Sequence, residues 1–480
     1  MSLNRRACAR EPNAHPVAGG LSRGGARGPH ALFDVESGNA GVNAPGYRHL
    51  PFVLLFIALA AAALPLNAQT PLTLQQTIDQ VLARYPTLDA AQAAVDAARG
   101  RTLRADSARL PQVSGVGSYT YITPRPDIAF NGSSFYTTAQ NTYQIGVSGT
   151  QLLTDFGRTD ALVAAAKAGE LSARDALDAA RSQLGYQVIQ SFYGVLLLRQ
   201  SVAVSDDEIR ALQEALRIAN RKFSGGTATK FDVLTTQVRL ATAQNNRTDL
   251  QASLEKQETL LRQYLGLGPQ APVLIQGEFP TPAALPDLSA QISVGLENRP
   301  EMKVAQDQER AAGYQLTAAD RENRPEFDAR ALGGMQDGQL PNLYSNRSFF
   351  EGGVSLSIPL FTGRRITGDR TEARAGSRSA QDRVAELDRM IATEVSDAFS
   401  DLRSASARLQ TADVLVQQAD EALALAQTRY SNGVITNFEL LDAQSDDRNA
   451  ALARVDAHYR WALARQALAQ ATGAGASATP

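Results

Sequence analysis

Two periods alternate along this chain. From about residue 72 to 109 apolar positions recur at helical spacing, until Pro111 ends the run. The period then drops to two. QVSGVGSYTYIT (112–123) places Val113, Gly115, Gly117, Tyr119 and Tyr121 on one side of a strand. A polar loop with Pro124, Pro126, Asn131 and Gly132 leads to a second alternating run, TYQIGVSGTQLL (142–153). After TDFGR (154–158) comes a proline-free helical stretch from about 159 to 222, a glycine turn at 225–226, and a further helix from about 230 to 265. The order then recurs: a helix over 289–323, strands near 326–335 and 350–358, FTGR (361–364), a long helix over 365–430, a turn at Gly433 and a last helix over 437–471. This reading divides the mature chain into a first repeat (69–265), a Pro-rich linker (266–288), a second repeat (289–472) and a disordered tail (473–480).

The two copies are written in related words. RKFSGGTATKFDVLTTQ (221–237) aligns with RYSNGVITNFELLDAQ (429–444), with Gly226 on Gly433, Phe231 on Phe438 and Asp232 on Glu439, an offset of 207. Nearer the start, RYP (84–86) matches NRP (298–300) at an offset of 214. Seven residues are therefore missing from the second copy. The loss falls between about 112 and 192, and a length change of that kind belongs in the loop between the strands.

The long helices limit the fold. At 1.5 Å per residue, some 64 residues span about 95 Å. Such a helix is stable only if one face packs along its whole length, so these helices must lie side by side in an extended sheath. The strands add a second limit. In 350–358 Phe350, Val354, Leu356 and Ile358 alternate with Glu351, Ser355 and Ser357, which is the length and pattern of a membrane-barrel strand with aromatic ends. An ordinary half-buried soluble strand alternates in the same way. If the strands do span a membrane, four cannot close a barrel and lipid forbids an open edge, so several chains must share one barrel.

Composition narrows the class. The 480 residues carry 47 Lys+Arg against 49 Asp+Glu, a balance that offers no basis for a nucleic-acid partner. The apolar run PFVLLFIALAAAAL (51–64), preceded by Arg48 and followed by LNAQ, reads as a secretory signal peptide cleaved near Ala68. Residues 1–41 show no apolar period, and a start near Val42 would place them outside translation. The single cysteine, Cys8, lies in that leader, so the mature chain has no thiol and no disulfide. With one mature histidine, His458, a His/Cys metal site is excluded within a chain, and neither a P-loop nor a dinucleotide fingerprint is present. No enzyme activity, cofactor or metal is expected. Trp461 reads as packing.

Taken together, the duplicated order, the joints QLLTDFGR and IPLFTGRR, and the turns RKFSGG…FDVL and RYSNGV…FELLDAQ resemble the TolC-like outer-membrane efflux family over roughly 70–472. The resemblance implies a mostly α fold with membrane β structure: a homotrimer whose α-helical tunnel continues into a shared 12-stranded barrel, four strands per chain. It also implies a passive duct in the outer membrane, with a periplasmic helical domain. Its partners would be a periplasmic adaptor and an inner-membrane pump, in efflux or type I secretion. The alternative reading is a structural coiled-coil protein of the periplasm or cell surface, with a soluble β domain.

Within the resemblance, the glycine turns are the periplasmic tips. Gly226, Gly433, Ser224 and Ser431 are candidates for adaptor docking, and ordinary helix capping explains the same residues. Glu439 and Asp442, three apart on one helix face, are candidates for rings of carboxylate in the pore constriction. Thr436 to Glu439 is also a capping box, and Asp442 lies beyond its reach. Thr229 to Asp232 offers a similar cap. The resemblance pairs Asp232 with Tyr430 as a latch on the closed state, and the arginine that would join it is replaced by Ile435.

Overall fold

In this computed structural model, residues 71–475 are described, and they begin after the expected leader and signal peptide and stop within the expected tail. In chain order the elements are α1 (Leu74–Leu82), α2 (Pro86–Ser107), β1 (Gln112–Tyr121), β2 (Asp127–Phe130), β3 (Ser133–Tyr136), β4 (Asn141–Thr154), α3 (Arg158–Ser224) and α4 (Lys230–Tyr264). The second copy follows as α5 (Leu288–Asn298), α6 (Pro300–Asp320), β5 (Glu326–Gln336), β6 (Arg347–Ser357), α7 (Arg365–Ser431) and α8 (Asn437–Ala471).

Two expectations change in detail. Each copy opens with two helices, not one. Tyr85 and Arg299 are extended, and Pro86 and Pro300 start the next helix. A proline has no N–H to give a preceding turn and pushes the residue before it out of the helical region, but it suits a first helical position. The loop after β1 is also not wholly irregular. Asp127–Phe130 and Ser133–Tyr136 pair as a hairpin, with Asn131 and Gly132 both at positive φ (50° and 82°), the backbone of a tight two-residue turn. This hairpin fills the longer inter-strand loop of the first copy.

Helices α3 and α7 have 67 residues each. Toward the strands α3 lies between α2 and α6; toward the tips it lies between α4 and α8. Helix α7 closes the far side against α6 and α8. The shared core is densest at mid-length, where Val188, Ile189, Phe192 and Val195 of α3 meet Ile391, Val395 and Leu409 of α7 and Trp461 of α8. Trp461 is 2% exposed, and its indole N–H donates to Ser406 Oγ at 3.1 Å. One window of α3 is apolar enough to cross a membrane (mean hydropathy 1.2), but 61% of it is buried in the chain, which marks it as core.

The linker 266–287 crosses this region. Leu72 bridges Ile275, Arg199 donates to Ile275 O (3.2 Å) and pairs with Glu258 (2.8 Å), and Phe279 stacks on His458. His458 is thus half-buried under the linker.

The four long strands form one antiparallel sheet, ordered β1-β4-β5-β6. The β4–β5 pairing joins the copies. Its register sets Gly146 against Gly334, and a Cβ on Gly146 would lie 2.6 Å from Gly333 O, so this crossing accepts only glycine. Sheet and helices meet at two sharp joints. Phe156 and Gly157 (φ 56° and 87°), and Gly363 and Arg364 (φ 59° and 71°), turn the chain through left-handed backbone. Asp155 holds the first joint by accepting from Gly157 N (3.1 Å) and Thr159 N (2.6 Å), while Arg321 donates to Gly157 O at 2.7 Å.

Trp461→Ala should leave a cavity where α8 meets α7 and destabilise the chain by roughly 3–5 kcal/mol. Chemical denaturation of the detergent-solubilised protein, followed by far-UV circular dichroism, measures this.

Candidate functional site

The tips are built by two turns of the same design. At the end of α3, Thr227 N donates to Lys222 O (2.8 Å) and Gly226 N to Phe223 O (3.0 Å). At the end of α7, Val434 N donates to Arg429 O (2.9 Å) and Gly433 N to Tyr430 O (3.1 Å). These pairs are Schellman closures, with glycine in the left-handed position at φ 75° and 76°. A Cβ at either glycine would meet nothing within 4 Å, so the backbone angle alone selects glycine. Ser224 and Ser431 are exposed and bond back to Asn220 O (2.9 Å) and Thr428 O (2.7 Å).

Each turn runs into a capping box. Asp232 Oδ2 accepts from Thr229 N and Thr229 Oγ1, both at 2.8 Å. Glu439 Oε2 accepts from Thr436 N (2.7 Å) and Thr436 Oγ1 (2.8 Å). These bonds hold the Glu439 carboxyl below its usual range, so the cap survives acidification and is lost only as pH falls through that lowered value. Asp442 is exposed one turn further on.

The structure brings Asp232 and Tyr430 into the same neighbourhood without a hydrogen bond between them. The Tyr430 hydroxyl is buried and has no hydrogen-bond partner among the described residues, and burial together with the nearby Asp232 charge raises its pKa. The contact across the hairpins comes instead from Lys222. Its ammonium sits 3.8 Å from the centre of the Tyr430 ring and donates to Tyr430 O at 2.5 Å. Asn437 Nδ2 adds bonds to Thr236 Oγ1 (3.1 Å) and Asp232 O (3.3 Å), and Arg239 donates to Leu441 O at 3.1 Å. Lys222, Asn437 and Arg239 were not singled out by the sequence. A lysine near a helix end reads as ordinary solvated charge. The tips also carry exposed apolar residues that the repeat alignment contained: Phe231 (73% exposed), Val434 (70%) and Phe438. For Phe231 and Phe438 the signal was an aromatic at the second position of a helix, and both remain largely exposed.

The second functional surface is the sheet. Its register puts Val113, Tyr119, Tyr143, Ile145, Val147, Met335, Phe350, Val354 and Leu356 on one face. These side chains are exposed: Ile145 is 62%, Val354 66% and Phe350 78% accessible. The other face carries Ser114 bonded to Ser148 (2.7 Å), with Gln144, Asp328, Arg330 and Glu351. No strand of the described residues pairs with the outer edges of β1 and β6.

A helical sheath joined to a sheet that is greasy on one side and polar on the other defines a membrane channel protein. The sequence matches the outer membrane efflux protein family over residues 77–267 and 292–474, and the chain belongs to that family. It is 25% identical over 377 residues to outer membrane efflux protein BepC of Brucella suis, covering 77% of this chain and 78% of BepC. It is 22% identical over 267 residues to the alkaline protease secretion protein AprF of Pseudomonas aeruginosa, covering 55% of each chain. The crystal structure of the outer membrane protein VceC of Vibrio cholerae shares the fold, with a TM-score of 0.72 and 22% identity, over 83% of this chain and 96% of that one. The protein is thus an outer-membrane channel component of efflux or type I secretion, with its helical domain in the periplasm.

Gly433→Val should strain the second tip by about 1–2 kcal/mol, because a β-branched residue must adopt the left-handed region, whereas Gly433→Asn should cost less. Amide hydrogen exchange of the α7–α8 turn reads the difference as faster opening in the valine variant.

Proposed function

We propose that three copies close one 12-stranded barrel in the outer membrane, β1 of each chain pairing with β6 of the next. The observation that carries this is the exposed apolar face of a four-stranded sheet with two open edges. In lipid that face is solvated and the edges are not, and neighbouring copies satisfy the edges. The polar face then lines an aqueous lumen continuous with the helical tunnel. Substrates enter from an inner-membrane pump through a periplasmic adaptor, which docks on the tips at Gly226, Gly433, Ser224 and Ser431, flanked by the exposed Phe231 and Phe438. The channel itself adds no energy. Asp442 supplies the carboxylate ring of the constriction, and Glu439 adds charge at the same level while capping α8. The soluble coiled-coil alternative leaves the apolar face in water, which no element of the described residues covers.

The face assignment has a direct test. Ile145→Arg on the lipid side should reduce assembly of a heat-resistant oligomer in outer membranes, at about 2–4 kcal/mol per chain near the bilayer centre. Ser148→Arg on the opposite face should assemble normally and lower cation conductance. Equal assembly of both variants in membranes would remove the proposed orientation.

In the closed state the latch at Tyr430 acts through its ring and carbonyl, not its hydroxyl. Lys222→Met should therefore raise single-channel conductance in planar bilayers more than Tyr430→Phe does. The reverse order would restore the Asp232–Tyr430 hydrogen bond as the latch.

A further inference from the structure

The joints between sheet and helices carry the most exposed large apolar side chains of the described residues. In the second joint Leu360 and Phe361 are 91% and 90% accessible. Leu360 extends the alternation of β6 (Phe350, Val354, Leu356) past the strand end through Ile358, which is also exposed. In the first joint Phe156 is exposed, and its ring sits 6.4 Å from that of Phe327.

The same level of the protein is basic. The joints (155–158 and 360–365) and the α6–β5 turn (321–325) hold five arginines against two acids. Both acids are engaged within the chain. Asp155 accepts from the backbone of the first joint. Glu322 pairs with Arg365 and faces Arg158 at 3.9 Å, so it ties the two joints into one surface. Where the first joint has Asp155, the second has the neutral Thr362. Acids just outside these segments are also taken up: Asp369 pairs with Arg365 (3.0 Å) and Asp160 with Arg109 (2.5 Å). Glu326 lies by register on the polar face of the sheet.

Two arginines of this collar have no counter-charge among the described residues. Arg324 is exposed and donates to Phe156 O at 3.2 Å, without an ion pair. Arg364 is exposed, and its side chain makes no hydrogen bond or ion pair among the described residues.

We propose that this collar binds an anionic glycerophospholipid of the periplasmic leaflet, with Leu360 and Phe361 among its acyl chains and Arg324 and Arg364 on its phosphate. Two observations select this occupant. The apolar pair continues the sheet face assigned to lipid, and the uncompensated charge beside it is positive, the complement of an anionic headgroup. A guanidinium meets a phosphate with parallel N–H donors, and its long stem stays in apolar surroundings while its head reaches the interface. The helical domain is periplasmic, so the joint end of the sheet stands at the periplasmic leaflet. The inference rests on the lipid-facing sheet proposed above.

Cys8 is the only cysteine in the sequence, so in a Cys8→Ser background Phe361→Cys carries a fluorophore at a single position. The labelled full chain is reconstituted in nanodiscs of phosphatidylethanolamine and phosphatidylglycerol. In separate samples one or the other lipid is brominated on its acyl chains, at equal mole fraction, and bromine quenches on contact. Brominated phosphatidylglycerol should quench about fivefold more than brominated phosphatidylethanolamine. Arg324→Gln combined with Arg364→Gln should bring that ratio close to one, and Arg364→Lys alone should keep most of it. Circular dichroism and the heat-resistant oligomer confirm that the variants fold and assemble.

A second probe at Ile145→Cys separates this site from the sheet assignment, because both lipids should quench it equally. Quenching at Ile145 but not at Phe361 would mean that a neighbouring copy covers the joint, which overturns the site and leaves the sheet in lipid. Absence of quenching at both positions would overturn the lipid-facing sheet and the site with it. Equal quenching of the Phe361 probe by the two lipids, or a preference that survives loss of both arginines, would overturn the headgroup assignment.

Discussion

A strand edge in hydrocarbon leaves N–H and C=O groups with no water to satisfy them, and each such group costs several kcal/mol. In this chain β1 and β6 present two such edges on either side of one sheet. The same sheet turns Ile145, Val147, Phe350 and Val354 outward, side chains that water disfavours. Either environment alone is therefore unfavourable for a single copy. The proposed association in a membrane would relieve both problems at once, lipid taking the apolar face and neighbouring copies the edges. Duplication makes this economical in sequence: β1–β4 and β5–β6 are the same hairpin written twice, and β4–β5 joins them through the Gly146–Gly334 crossing.

The helices solve a related problem of length. Two 67-residue helices bury mostly alanine, leucine and valine along a narrow stripe, so each needs neighbours from end to end. No single helix among the described residues does this. Helix α3 is flanked by α2 and α6 at one end and by α4 and α8 at the other, so shorter helices share its length. The breaks at Pro86 and Pro300 separate a short first helix from this arrangement and bring it against the linker and the mid-length core.

Much of this was legible. The turns RKFSGG and RYSNGV, the period-two runs and the proline-free stretches located α3, α4, α7, α8 and the four long strands to within a few residues. The helix breaks were legible in principle, since RYP and NRP each carry a proline, but helical periodicity on both sides hides a break. The β2–β3 hairpin was announced by Asn131-Gly132, and its short strands fell below the length at which alternation is visible. At the tips the family resemblance paired Asp232 with Tyr430, and the structure has no hydrogen bond between them. Capping is local and shows in the spacing Thr-x-x-Asp. The Lys222–Tyr430 contact joins residues 208 positions apart, and no local pattern records it.

The capping boxes also shape what the tip acids can do. A carboxylate that accepts from a backbone N–H and a hydroxyl has spent part of its capacity before any ion arrives. Asp232 and Glu439 are both in that position, each facing the free N–H groups of a helix start. Their charge remains, fixed in place by the helix terminus. Asp442 is exposed and makes no such bond among the described residues, so in the proposed constriction its carboxylate is the one at this level free to turn toward a cation. Glu439 fixes where α8 begins, and that start fixes how far along the helix Asp442 stands.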